Sequence, residues 1–160
     1  MGVNLSKVEK KAKNYSHVLL VMRHAKAEPF NDKGDHDREI TDKGEKQAKI
    51  VAKSVINSSL LKAAMFGADA NWGRVLCAIG YAQTDVDVNR VDVAFASQNG
   101  AVAVCKDGAG IDFSEETAKK VLTTDEVKIL VDLNAGDAAA TAWGCDLTYD
   151  YVRINGDYRS

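Results

Sequence analysis

The 160-residue chain holds one proline, Pro29, and three histidines, His17, His24 and His36, so residues 37–160 contain neither type. Its three cysteines, Cys77, Cys105 and Cys145, are scattered, odd in number and never in a C-x-x-C. That excludes a disulfide framework and a cysteine metal signature, and makes a reducing cytoplasm the simplest compartment. No run approaches the ~18–20 apolar residues of a membrane span. The Lys-rich opening (Lys7, Lys10, Lys11, Lys13) lacks the apolar block of a signal peptide. Met1-Gly2 with Ser6 fits the short N-myristoylation pattern, and a frayed, solvated head explains the same residues.

What is present suffices for a fold. With 46% hydrophobic and 28% charged residues the chain can build a core, and its length suits one domain or two small ones. The net charge of −2 is unevenly spread. Residues 1–50 carry eleven basic and eight acidic side chains, a net +3, whereas residues 51–160 carry ten and fifteen, a net −5. This mild asymmetry does not mark a nucleic-acid binder. No phosphate loop is visible, and Asp107-Gly108-Ala109-Gly110 lacks the third glycine of a dinucleotide fingerprint. The expectation is therefore no cofactor, no metal, no nucleic-acid partner and no membrane.

Patterning predicts an α+β fold, a small mixed sheet with several short helices. Val18–Met22 is a continuous apolar run of strand length. Thr41 to Glu45 starts a helix whose apolar face is Ala48, Val51, Ala52, Val55 and Ile56. Asn57-Ser58-Ser59 breaks it, and Leu60–Met65 continues as a short helix ending at Gly67. Trp72–Tyr81 has helical spacing. Val91–Ala96 and Val102–Cys105 read as a hairpin joined by a type I′ turn at Asn99-Gly100, and Asp107–Gly110 reads as a turn. Ser114 caps a helix running to Leu122, Val127–Leu133 alternates as a strand, and Ala138–Ile154 reads as largely extended.

Two constellations carry chemistry. The first is Arg23-His24, directly after the first strand, where α/β units gather ligand-binding residues. An imidazole can accept a phosphoryl group and a guanidinium can hold its oxygens. The run Arg23-His24-Ala25-Lys26, then Asp37-Arg38-Glu39-Ile40-Thr41-Asp42-Lys43-Gly44-Glu45-Lys46-Gln47-Ala48, resembles the opening of the histidine phosphatase superfamily, closest to SixA-type phosphohistidine phosphatases. The resemblance covers about residues 17–52 and implies His24 as phosphoryl acceptor with Arg23 on the phosphate. The family's later S-P-x-x-R and S-H-x-P segments are absent, since no proline or histidine occurs there.

The second begins near Ala52. Ser54–Met65 followed by Phe66-Gly67-Ala68-Asp69-Ala70-Asn71-Trp72-Gly73-Arg74, and the run from Ala140 through Trp143-Gly144-Cys145-Asp146 to Asn155 and Ser160, resemble the ornithine acetyltransferase (glutamate N-acetyltransferase, ArgJ) family over about 108 residues. That resemblance implies transfer of an acetyl group from N-acetylornithine to glutamate in arginine biosynthesis, with Asn155 and Ser160 binding the amino-acid substrate. The family's threonine nucleophile lies in an A-T-M-L-type motif that this sequence lacks; Ala64-Met65 is the nearest fragment. Asp69–Arg74 reads as a fixed turn between helices, Trp143 and Tyr149 as core or interface aromatics, and Cys145 as a buried small residue.

Together these give an expected layout: a mobile basic head (1–16), a phosphatase-like strand–loop–helix segment (17–52) and an acetyltransferase-like C-terminal domain (53–160) forming the stable core. The first strand adds to an edge of the sheet or stays loose. The expected activity is that of a partial acetyltransferase, inactive alone. The alternatives are a degenerate phosphohistidine phosphatase and a non-catalytic assembly module. Partners are a small amino-acid substrate and either an upstream acetyltransferase fragment or a second copy.

Overall fold

The computed structural model describes residues 18–22 and 42–158. The expected mobile head, the Lys26–Arg38 loop and the Thr41 cap lie outside these residues. Six strands form one mixed sheet in the order β4-β3-β2-β5-β1-β6, and helices stack on it, as the expected α+β class requires.

Strand β1 (Val18–Met22) pairs parallel with β5 (Glu126–Asp132) on one side and antiparallel with β6 (Ala142–Gly144) on the other. It therefore sits inside the sheet, neither loose nor at its edge as the sequence suggested. The reason is backbone satisfaction. Without β1, one side of β5 would present an unpaired row of N–H and C=O groups.

Helix α1 (Asp42–Asn57) runs unbroken through residue 52, with Val51, Ala52 and Val55 fully buried. A junction at Ala52–Lys53 would thus fall inside a continuous helix. Ser58 ends the break: its Oγ accepts from the Leu61 amide at 3.3 Å and starts α2 (Ser59–Phe66). Ser54 on α1 donates its hydroxyl to the Ala78 carbonyl at 2.5 Å, tying α1 to α3 (Trp72–Gly80). Helix α4 (Glu115–Leu122) is capped by Ser114, as expected, at 3.2 Å from the Thr117 amide.

The hairpin between β2 (Asp92–Ser97) and β3 (Gly100–Lys106) forms, but its turn is not the one expected. Ser97 already pairs with Gly100, so Gln98 and Asn99 fill the loop, and Asn99 has no positive φ. The double left-handed turn that type I′ demands lies at Asp107 (φ 48°) and Gly108 (φ 72°), which join β3 to the two-residue strand β4 (Ala109–Gly110). Gly108 is obligatory twice over, because a Cβ there would also collide with the Val88 carbonyl. Asn99 instead donates to the Lys120 carbonyl at 2.9 Å, pinning the hairpin to α4.

The second departure is at the C-terminal end. Tyr149–Asp157 is helix α5, not extended chain. Its Tyr, Val and Ile residues favour strands, but Thr148 caps it, accepting from the Tyr151 amide at 3.1 Å, and Asp150 sits in the first turn.

The core lies between the helices and one face of the sheet. It joins Val51 and Val55, Leu61, Val75 and Ile79, and Val121 and Leu122 to Phe95, Val104, Ile129 and Val131.

Candidate functional site

Of the four residues the sequence singled out, the structure describes one. Arg23, His24 and Ser160 lie outside the described residues. Asn155 stands on α5, a helix with no buried residue. Its Nδ2 donates to the Tyr151 carbonyl one turn back, at 2.8 Å. That bond holds the carboxamide against the helix and leaves Oδ1 facing outward as an acceptor. The described residues therefore present one binding group of the expected amino-acid site.

How α5 is positioned follows from the preceding motif. Ala142-Trp143-Gly144 forms β6, the end strand next to β1. The Leu147 amide then donates to the Lys62 carbonyl at 3.2 Å, turning the chain over α2. Tyr149 meets the Phe66 ring edge-on, with centroids 5.1 Å apart. This is the main anchor of the helix, since Tyr149, Tyr151, Val152, Ile154 and Tyr158 are all exposed. Two expectations are corrected here. Trp143 is 49% exposed rather than core, because β6 points it away from α1. Cys145 is exposed, and the buried residue of this stretch is its neighbour Asp146. Nothing in the sequence but its place in the motif singled Asp146 out.

The Asp69–Arg74 signature builds a rigid corner, as the turn reading had it. Asn71 caps α3, its Oδ1 accepting from the Arg74 amide at 3.0 Å while its Nδ2 donates to Asp69 Oδ2 at 3.0 Å. The Arg74 guanidinium donates to the Leu60 carbonyl at 2.7 Å, joining α3 to α2. Trp72 lies so close to Gly110 that a Cβ there would come within 2.5 Å of the indole. These groups spend their hydrogen bonds on the fold.

Catalytic groups are scarce. All three histidines lie outside the described residues. Among the described residues no cluster of His, Cys, Asp or Glu could hold a metal ion. Cys105 is buried, and desolvation, helped by the nearby Asp92 carboxylate, pushes its thiol pKa up. That keeps it protonated and unreactive. The described part of the chain can bind and position, but it carries no nucleophile paired with a base.

The comparisons agree with the larger of the two resemblances. Residues 39–160 match the ArgJ family model. The match begins within the segment that the sequence shared with a phosphatase, and so takes in the whole of α1. The chain is 56% identical over 115 residues to the arginine biosynthesis bifunctional protein ArgJ 1 of Clostridium acetobutylicum, covering 72% of this chain and 28% of that protein. It is 51% identical over 116 residues to the glutamate N-acetyltransferase of Methanopyrus kandleri, covering 72% and 30%. The crystal structure of the arginine biosynthesis bifunctional protein ArgJ of Bacillus halodurans superposes with a TM-score of 0.72 at 36% identity, covering 95% of this chain and 62% of that one. The chain thus spans less than a third of the length of these curated relatives.

Proposed function

Because the chain belongs to the ArgJ family, we propose that it supplies the amino-acid-binding portion of an acetyl-transfer site, moving an acetyl group from N-acetylornithine to glutamate in arginine biosynthesis. What carries this reading is the family match over residues 39–160, with 56% identity to a relative named for arginine biosynthesis. In it, Asn155 and Ser160 hold the amino-acid substrate. The Asn155 carboxamide offers an acceptor to an ammonium, and a terminal hydroxyl with its carboxylate offers two more oxygens. The threonine nucleophile of the family motif comes from the upstream part of the family fold. The chain then binds substrate weakly by itself and turns over only when that part is supplied. Any junction with a second source lies before Glu39, since the family match already runs from there.

The test is acetyl transfer from N-acetylornithine to glutamate, measured with the chain alone and with the upstream part of a family relative added. Activity is expected only in the mixture. Turnover by the chain alone would overturn the reading that its nucleophile is supplied from elsewhere.

A second reading keeps Arg23 and His24 as a phosphate-binding pair. Its support is that Val18–Met22 is a strand paired parallel with β5, and that the two residues follow it directly in the sequence, as ligand-binding residues do in parallel sheets. Hydrolysis of a phosphohistidine peptide, abolished by His24→Ala, is the result this reading requires.

A further inference from the structure

The helices cover one face of the sheet. The other face is half-buried or exposed along β2, β3 and β5. It consists of Asp92, Ala94 and Ala96, then Ala101 and Ala103, then Lys128, Leu130 and Asp132. Register aligns Asp92 with Asp132, Ala94 with Leu130, and Ala96 with Lys128. The face is thus flat and small-residued at its middle, acidic at one end and basic at the other. A trough of about 510 Å³ opens over the acidic end and the middle.

We infer that this face packs against the same face of a second copy of the chain, antiparallel, with Leu130 at the pivot. Three observations select that occupant. First, an alanine floor lets another sheet approach to the usual spacing of roughly 10 Å without large side chains intervening. Second, the charges are self-complementary in only one orientation. A twofold axis lying in the interface across the strands, at Leu130, sets the partner's Lys128 opposite Asp132 and diagonal to Asp92. The same happens in reverse, as a closed isologous contact requires. An axis along the strands would set like against like. Third, Asp92 and Asp132 are directly opposed like charges, a pairing that costs stability within a sheet.

Local donors hold those two carboxylates. Asp92 Oδ1 accepts from the Asp107 amide at 2.8 Å, and its Oδ2 from Asn134 Nδ2 at 3.2 Å. Asp132 Oδ1 accepts from the Asn134 amide at 2.7 Å. No ion pair among the described residues reaches either of them. Lys106 lines the same end of the trough, and Lys128 touches Glu126 at a long 3.9 Å, so it can turn to a better partner. The dimer does not depend on the acetyl-transfer reading.

The test is sedimentation equilibrium of the full chain over a wide concentration range. The expected result is a dimer. Lys128→Asp and Asp132→Lys are each expected to weaken it roughly tenfold or more, and Lys128→Asp with Asp132→Lys in one chain is expected to restore it, because each charge then meets its opposite again. Ala103→Arg, at an exposed position that folding does not use, should also break the dimer with circular dichroism unchanged. A monomer at every concentration overturns the inference, including the case where the face takes up the upstream part of a family relative instead. So does a dimer indifferent to the single reversals and to Ala103→Arg, or a double reversal no tighter than the singles.

Discussion

Strand β5 has two fates in one run of seven residues. Val127, Ile129 and Val131 point into the helices and are buried, while Lys128, Leu130 and Asp132 alternate with them on the opposite side and stay half-exposed. The same division runs through β2, where Val93 and Phe95 are buried and Asp92, Ala94 and Ala96 are not. Alternation is what one covered face and one open face write into a sequence. Here the open side is carpeted with alanine rather than with charge throughout. Position on the sheet, more than residue type, therefore decides what a substitution costs.

The largest expected effect sits on the covered side. Phe95 is among the largest fully buried side chains, and Phe95→Ala should cost about 3–5 kcal/mol in urea denaturation. Leu130→Ala, on the open side and next to Phe95's neighbour Ala94, should cost under about 1 kcal/mol when measured at low protein concentration. Equal costs would erase the distinction between the faces. Gly108→Ala comes next. It forces φ 72° on a residue with a side chain and drives a Cβ into the Val88 carbonyl, so a loss of at least ~1–3 kcal/mol is expected. Asn71→Ala removes the α3 cap and should cost about 1 kcal/mol.

The fold was legible where local chemistry and tertiary placement agree. Ser114 and the Asn57–Ser59 break predicted helix boundaries because capping is settled within four residues. The alternation of Val127–Leu133 predicted its strand because one face is buried. Two elements misled for identifiable reasons. Asn99-Gly100 looked like the tight hairpin, yet Asp107-Gly108, with the same chemistry, has both residues at positive φ, because β3 must fold back over Val88 there. Helix α5 was hidden because its Tyr, Val and Ile residues mimic a strand, and its one clear signal was Thr148 before Asp150. The candidate site was less legible still. Motif resemblance singled out Asn155, but neither spacing nor periodicity marks a residue whose role depends on groups brought from elsewhere in the family fold.

Cys105 separates the two sides by reactivity. It is buried where β2 and β3 shift register, and its Sγ donates to the Val91 carbonyl at 3.5 Å. Cys77 and Cys145 are exposed. A thiol reagent should modify those two in the native state and reach Cys105 only on unfolding. Because burial raises the Cys105 pKa, folding favours the protonated thiol. Its contribution is complete below the ordinary thiol pKa and is lost as pH rises through the raised one. Cys105→Ser should therefore flatten the alkaline end of the stability profile and leave neutral pH less affected.

The smallest expected change in stability is at Asn155, and it discriminates best between a scaffold and a binding role. Asn155 is exposed on a helix that buries nothing, and its one described bond closes a turn already closed by the backbone. Asn155→Ala should thus shift unfolding by less than about 0.5 kcal/mol, since alanine is also the better helix former. If the carboxamide holds an amino acid, the same substitution should weaken binding of N-acetylornithine by calorimetry. In the reconstituted mixture it should raise KM more than it lowers kcat, as the loss of uniform binding does. A variant that loses stability but binds normally would make Asn155 a helix residue and nothing more.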